Sequence, residues 1–272
     1  MTQKPWLATI LTSEGKLPDR HEVWNELKKI PGYETQELEL ISEDDVHFVF
    51  RTRSAMLAVT LTEPQEDPEA NTVPLSMLKK SCFRAWHWAE AAVSISQASR
   101  QILAAVLPDD DALEPLDAAL LLTALTSSVL KVMPANGVYW NNSGMVHEPL
   151  SFMQHAVGMN RLAIPVELWV EFRLSLNSDL SLSIGTWGMR AFGLAELEVS
   201  RSRRDSQWLL RWLFNLAHLM LENGPLDTEM EHTFGRSDKE SFRLTYARSA
   251  PEIGRDSIDE ILNVQFEASD KN

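Results

Sequence analysis

Residues 46–62, VHFVFRTRSAMLAVTLT, set the fold class of this chain. Val46–Arg51 is apolar, aromatic and β-branched, and Met56–Thr62 repeats that character after a short polar break. Such residues fit a pleated, half-buried surface, so both runs read as strands. Glu43, Asp44 and Asp45 precede the first run as an acidic turn. Working backward, Glu37–Ile41 reads as another strand and Trp6–Thr12 (WLATILT) as the opening one. Between those two, Asp19 can cap a helix with Val23, Leu27 and Ile30 on one face, ended by Pro31-Gly32. The front third is therefore expected to be a strand–helix–strand–strand–strand unit built on an antiparallel sheet.

Working forward, Glu63–Ala70 (EPQEDPEA) has two prolines and four acids and reads as a solvated acidic loop. A helix is predicted from Leu75 to about Glu90, then a strand at Ala92–Ile95. Pro108-Asp109-Asp110-Asp111 is expected to cap a long helix running through Leu130, with acids favourably placed at its N-terminus. From Asp117 to Leu130 that helix is apolar almost all round, so it should be central. Pro134-Ala135-Asn136-Gly137 turns into Val138-Tyr139-Trp140, and Glu148-Pro149 starts a short helix to about Val157. Glu167–Leu176 (ELWVEFRLSL) alternates and reads as one strand, followed by strands at Leu180–Ile184 and Ala195–Val199. Ser206–Glu222 is an amphipathic helix with Leu209, Leu213, Leu216 and Met220 inward, stopped by Asn223-Gly224-Pro225. Strands at Ser241–Tyr246 and Ile258–Phe266 close the chain. The expected class is α+β: mainly antiparallel sheets with packed helices. It would form one domain over 1–272, or two tightly joined subdomains, 1–62 and 73–266, flanking the acidic loop 63–70.

Composition bounds the function. The chain has 272 residues, 44% hydrophobic and 24% charged, with a formal net charge of −14. Its pI near 4.9 disfavours nucleic acid and anionic membrane as partners and favours a basic partner, or serves solubility alone. Cys82 is the only cysteine, which excludes an intrachain disulfide and a multi-cysteine zinc site. The N-terminus has no basic region followed by an apolar run, and Thr123, Thr126, Ser127 and Ser128 interrupt the longest apolar stretch, Ala118–Val132. Neither a signal peptide nor a bilayer span is expected, and the cytoplasm is the expected compartment.

Motifs for chemistry are weak. His147 and His155 are eight apart beside Glu148, whereas a zinc-protease helix sets two histidines four apart around a glutamate. No metal, cofactor or catalytic set is assigned. Cys82, between Ser81 and Phe83, reads as a buried small hydrophobe. Gly185, Gly188 and Gly193 lack a phosphate-loop spacing and read as turns and close-packing points. Glu196 and Glu198 share a strand face, read as solvated, with Arg190 as a candidate companion. Arg201-Ser202-Arg203-Arg204 is expected to pair with the protein's own acids. In Trp86-His87-Trp88, adjacent helical positions point about 100° apart. Both indoles therefore cannot enter one core stripe, and an exposed one would suit a partner surface.

Three segments carry a resemblance: Gly137–His147 (GVYWNNSGMVH), Ile164–Val170 (IPVELWV) and Thr186–Val199 (TWGMRAFGLAELEV), with Phe242–Ser249 and Gly254-Arg255 behind them. Their order over residues 73–262 resembles a bacterial domain of unknown function of the DUF4261 type. That family brings no established catalytic residues. In general character the chain also resembles immunity proteins kept beside polymorphic or type VI secreted toxins. This second resemblance implies a protein that binds a cognate toxin, a basic nuclease effector, and neutralises it without catalysis. Candidate contacts are Glu63, Glu66, Asp67 and Glu69, then Asp109, Asp110, Asp111 and Glu114, with Trp86 and Trp88 as anchors. The alternatives are a secretion-system accessory protein or chaperone that binds an effector, and an enzyme with an unrecognised carboxylate/His site.

Overall fold

A computed structural model describes residues 4–30, 38–64, 72–109, 113–234, 240–255 and 260–266. The chain divides into two compact units, Met1–Trp169 and Val170–Asn272.

The first unit opens with strand β1 (Trp6–Thr12) and helix α1 (Arg20–Lys28). Asp19 caps α1 as its sequence implies, accepting from the amides of His21 and Glu22, and Val23 and Leu27 are buried. Strands β2 (Glu39–Glu43), β3 (His47–Arg51) and β4 (Ala55–Thr62) follow, each antiparallel to the next. The β3–β4 turn is tied by Thr52, whose hydroxyl accepts from Ala55 N at 3.0 Å. Next come α2 (Leu75–Arg84), α3 (Ala91–Ser96), β5 (Arg100–Pro108), α4 (Pro115–Val132), β6 (Gly137–Trp140), β7 (Met145–His147), α5 (Pro149–Ala156) and α6 (Val166–Trp169). The sheet runs β2-β3-β4-β5-β1-β6-β7, antiparallel throughout.

Four local expectations change here, and strand β5 answers to none of them. The chain leaves the helix after Arg84, and Ala92–Ile95 is helical because Ala91 and Ile95 bury at a spacing of four. β5 carries no alternation, since it lies between β4 and β1 and buries residues of both faces, Gln101, Ile102, Ala104, Ala105 and Val106. Asp109 does not cap α4. It ends β5, donating its amide to Ser54 O at 2.9 Å, and Glu114 is the N-cap residue. Finally, Glu167–Trp169 is a helical turn: Leu168 N bonds Pro165 O, and Trp169 is buried with its indole N–H on Thr123 Oγ1 at 2.9 Å.

α4 is the core helix of this unit, in contact with α1, β1, β5 and α5. Among the described residues it is long and apolar enough to cross a membrane by composition, but 72% of that stretch is buried inside the structure. The sheet face bearing Leu11, Tyr139 and Val146 packs with Leu78, Ala85, Trp88, Ala91 and Ile95 from α2, α3 and the turn between them. Trp140 and His147, on the opposite face, meet Phe152 of α5.

In the second unit, strands β8 (Glu171–Leu176), β9 (Leu182–Trp187) and β10 (Leu197–Ser202) precede helix α7 (Ser206–Asn223), followed by β11 (Glu231–Phe234), β12 (Glu240–Arg248) and β13 (Glu260–Phe266). The order is β11-β12-β13-β10-β9-β8, and only the β10–β13 pairing is parallel. α7 buries Leu209, Leu213, Leu216 and Met220, and Asp205 caps it through Trp208 N. The protein is thus α+β, with mostly antiparallel sheets, as its sequence implies.

Candidate functional site

A buried polar cluster lies in the second unit. After β9 the backbone turns at Gly188, with φ 122°, runs through a short 3-10 turn at Met189–Phe192, and leaves it at Gly193, with φ 75°. Both angles favour glycine. β10 then returns beside β9 and directs Glu196 back onto the turn. Glu196 Oε1 accepts from Gly188 N at 2.9 Å and Arg190 N at 3.4 Å, and Oε2 accepts the Thr186 hydroxyl at 2.8 Å. Thr186 Oγ1 in turn accepts from Leu197 N at 2.8 Å.

Glu198 lies two residues on, and so on the same strand face. Its Oε1 accepts the Ser249 hydroxyl at 2.5 Å and lies 3.2 Å from Arg255 Nε, while Oε2 accepts Ala250 N at 3.1 Å. Gly185 leaves room for this: a Cβ there would stand 3.2 Å from Glu198 Cγ and 3.2 Å from Ile253 Cγ2. The Arg255 guanidinium stacks 4.2 Å from the Trp187 ring centre and donates to Thr186 O. On β8, Arg173 lies 3.9 Å from the same ring and holds the buried Glu171 at 2.5 Å.

Glu196 and Glu198 are 3% and 0% exposed, so the expected solvated face is instead a covered one. The cover is the segment Ser249–Arg255, whose short helical turn Pro251–Ile253 packs on β8 and β9. Burial pushes the Glu196 carboxyl above its usual range, against the donors that oppose it. All four oxygens of Glu196 and Glu198 have donors within the fold. That commits the pair to holding the β9–β10 turn and the Ser249–Arg255 segment rather than to a reacting molecule. Arg190 meets Glu196 through its backbone amide, and its guanidinium donates to Glu260 O at 3.0 Å. Arg201 pairs with Glu252 at 3.2 Å, as expected of the basic run, while Arg204 covers the Trp208 ring and Arg203 is exposed.

The other candidates do not converge. His147 is buried and bonds Leu168 O at 3.2 Å, Glu148 is exposed ahead of α5, and exposed His155 lies 3.7 Å from Glu167. Among the described residues no group of three or more His, Cys, Asp or Glu is placed to hold a metal ion. Cys82 is half-buried, and burial raises its thiol pKa, which keeps it protonated.

The expected partner contacts are scattered. Glu63 is exposed and pairs with Arg100 at 3.1 Å, and Asp109 lies 3.7 Å from Arg51. Glu114 is held with Asp117 by Arg161. Glu66, Asp67, Glu69, Asp110 and Asp111 lie outside the described residues. Of the two tryptophans, Trp86 is 75% exposed and Trp88 9%. The chain leaves helix α2 at Arg84, ahead of both, and in the turn that follows Trp88 enters the core while Trp86 stays outside. Trp187, Ser249 and Arg255 lie in the segments that carry the resemblance, but neither they nor Arg173 were given a site role, because their proximity depends on strand pairing. No curated protein and no solved structure matches the chain. Residues 185–259, the stretch containing Thr186, Glu196, Glu198, Ser249 and Arg255, match the family model of a domain of unknown function, DUF4261.

Proposed function

We propose that the protein is a non-catalytic binding protein that neutralises a cognate bacterial toxin by occlusion, the toxin being a basic nuclease effector. The observation that carries this reading is the mounting of Trp86. Its indole stands 75% exposed, three residues after Phe83 at 93%. The residues around it are fixed: Trp88 is buried with Ala85 and Ala91, and His87 Nε2 bonds Val146 O at 3.1 Å and meets the Trp86 ring edge-on. A large aromatic held outward on a rigid base loses little freedom on binding, which suits an interface anchor. Among the described residues the buried carboxylates are few and matched, Glu171 and Glu198 with arginines and Glu196 with backbone and hydroxyl donors, so the other described acids lie at least partly exposed. An acidic exterior is steered toward the basic cleft that a nuclease needs for phosphates.

The test begins with basic proteins that co-purify with the tagged chain from its native bacterium, each then co-expressed with and without it. Growth rescue by the chain at near-equal stoichiometry supports neutralisation. Binding without rescue overturns it in favour of an effector chaperone or accessory protein. Trp86→Ala is expected to weaken the toxin complex by about thirtyfold, the size of an interface hot spot. Calorimetry reads this, and unchanged affinity in both Trp86→Ala and Phe83→Ala would remove this face from the interface.

A further inference from the structure

β2 is the terminal strand of the seven-stranded sheet. It pairs with β3 and, among the described strands, with nothing on its other side. All five of its residues are exposed, so its outer row of backbone donors and acceptors faces solvent. Leu40, Ile41 and Val46 are exposed as well, at 36%, 42% and 50%. Beside the strand is a cleft of about 290 Å³ lined by Arg20, His21, Trp24, Asn25, Leu40 and Phe50. Trp24 and Phe50 meet there edge to face, with ring centres 5.3 Å apart, and Lys28 lies over Trp24.

Natural sheet edges are often blunted by charge and bulges. β2 has both devices: its pairing with β3 shifts register between Leu40 and Ser42, and Glu39, Glu43, Asp44 and Asp45 surround it. A merely protected edge, however, would turn polar groups outward, and this one also presents three aliphatic side chains. The charge then sorts partners. Asp109 joins these four acids through Arg51, and against the five carboxylates stand three full cations, Arg20 on Glu43, Arg51 opposite Glu39 and Lys28 over Trp24, with the His47 ring beside Asp44. A second copy would bring the same acids and be repelled. A basic strand would be drawn in.

We propose that the β2 edge and its cleft take an extended basic segment of a protein partner. The segment adds as a strand outside β2, places an apolar side chain in the cleft, and sets lysines or arginines against Glu39, Glu43, Asp44 and Asp45. Backbone pairing supplies affinity in this mode, and the cleft and the acids supply selectivity. The identity of the partner as a toxin rests on the neutralising reading above, but the site itself does not.

The probe is a short synthetic peptide alternating lysine and valine, titrated into the full chain and followed by hydrogen–deuterium exchange. Slowed exchange confined to residues 38–51 is expected, with affinity falling several-fold between about 50 and about 300 mM salt. The same peptide with prolines at alternate positions, which cannot pair as a strand, should not bind. Glu39→Lys with Ile41→Lys should weaken capture by about tenfold or more, because it removes an attraction and adds repulsion. Both positions are exposed, so circular dichroism and thermal unfolding should be unchanged. Equal binding of the proline peptide, equal binding by the variant, or protection elsewhere in the chain overturns the proposal. So does sedimentation showing self-association of the wild-type chain that the variant abolishes, which would assign the edge to a second copy. No capture of the peptide by the wild-type chain, with growth rescue intact, overturns the edge site alone. Capture at β2 with no rescue by any co-purifying toxin overturns neutralisation and leaves the edge site standing.

Discussion

Arg255→Met is expected to destabilise the second unit by about 3–5 kcal/mol, the cost of leaving a buried charge without its partner. Glu198 has no exposed side-chain surface, and the Arg255 side chain has 5%. Removing the guanidinium leaves the Glu198 carboxylate, among the described residues, with the Ser249 hydroxyl and the Ala250 amide, neither of which neutralises it. It also removes the cation stacked on Trp187 and the donor to Thr186 O. The double variant Glu198→Leu, Arg255→Met separates charge from packing. Replacing both partners with apolar groups of similar size is often neutral or better, so it should recover the part of the loss that is due to charge, less the cost of orphaning the Ser249 hydroxyl and the Ala250 amide. Urea unfolding, with exchange mass spectrometry to locate the change in residues 171–255, reads both. The division into two compact units makes a single global transition the wrong observable. A loss below about 1 kcal/mol in the single variant would mean that the pair is not the buried, charge-matched contact described.

That cluster also shows where sequence reading stops. Glu196 and Glu198 were legible as residues on one strand face, since period 2 follows from strand geometry. What covers that face was not legible, because Ser249 lies 51 residues from Glu198 and no local pattern records the contact. The same distinction runs through the fold. β1, α1 and α7 were legible because a cap or a one-sided apolar stripe is written locally, as with Asp19 ahead of Val23 and Leu27. β5 was not, because a central strand buried on both faces has no alternation, and its residues match a buried helix equally well. Glu167–Leu176 misled in the opposite way. Its alternation holds from Glu171 onward, but Leu168, Trp169 and Val170 are all buried in succession, and a helical turn rather than a strand satisfies Trp169. For Trp86 and Trp88, the expectation that two indoles could not share one core stripe was drawn from helical geometry, whereas both lie in a turn past the end of α2. Which one leaves depends on the break after Arg84, which the sequence does not announce. The exposed acids of β2 were legible as a turn and a strand but not as an edge, since edge status belongs to the whole sheet order.

His147 gives the second large expected effect, and its sign is fixed by the direction of the shift. The ring is buried, its Nε2 faces the carbonyl of Leu168 at 3.2 Å, and a carbonyl can only accept, so the neutral ring carries its proton on Nε2. Burial is the largest influence, with His87 and His155 adding repulsion against the small help of Leu168 O, and together they hold the pKa down to about 3. His87 lies 5.9 Å away ring to ring, and Phe152 closes another side at 5.7 Å. In the unfolded chain the same imidazole titrates near its ordinary 6.5. Below that pH the unfolded chain takes up a proton that the folded one refuses. The stability tied to neutral His147 is therefore fully present above pH 6.5 and is lost as the pH falls toward 3, at roughly 1.4 kcal/mol per pH unit. Between about pH 6.5 and 5 the ordinary carboxylates remain ionised, so the slope there belongs to histidine. Glu196 acts in the opposite sense: its raised carboxyl pKa makes the second unit gain stability as the pH falls toward its titration. Acid should thus loosen the first unit while sparing the second, and exchange measured unit by unit separates the two. In His147→Gln an amide N–H can still reach Leu168 O but does not titrate, so the acid slope of the first unit should flatten. If wild type and variant lose protection in parallel from pH 6.5 to 5, His147 is not the buried neutral group that sets that slope.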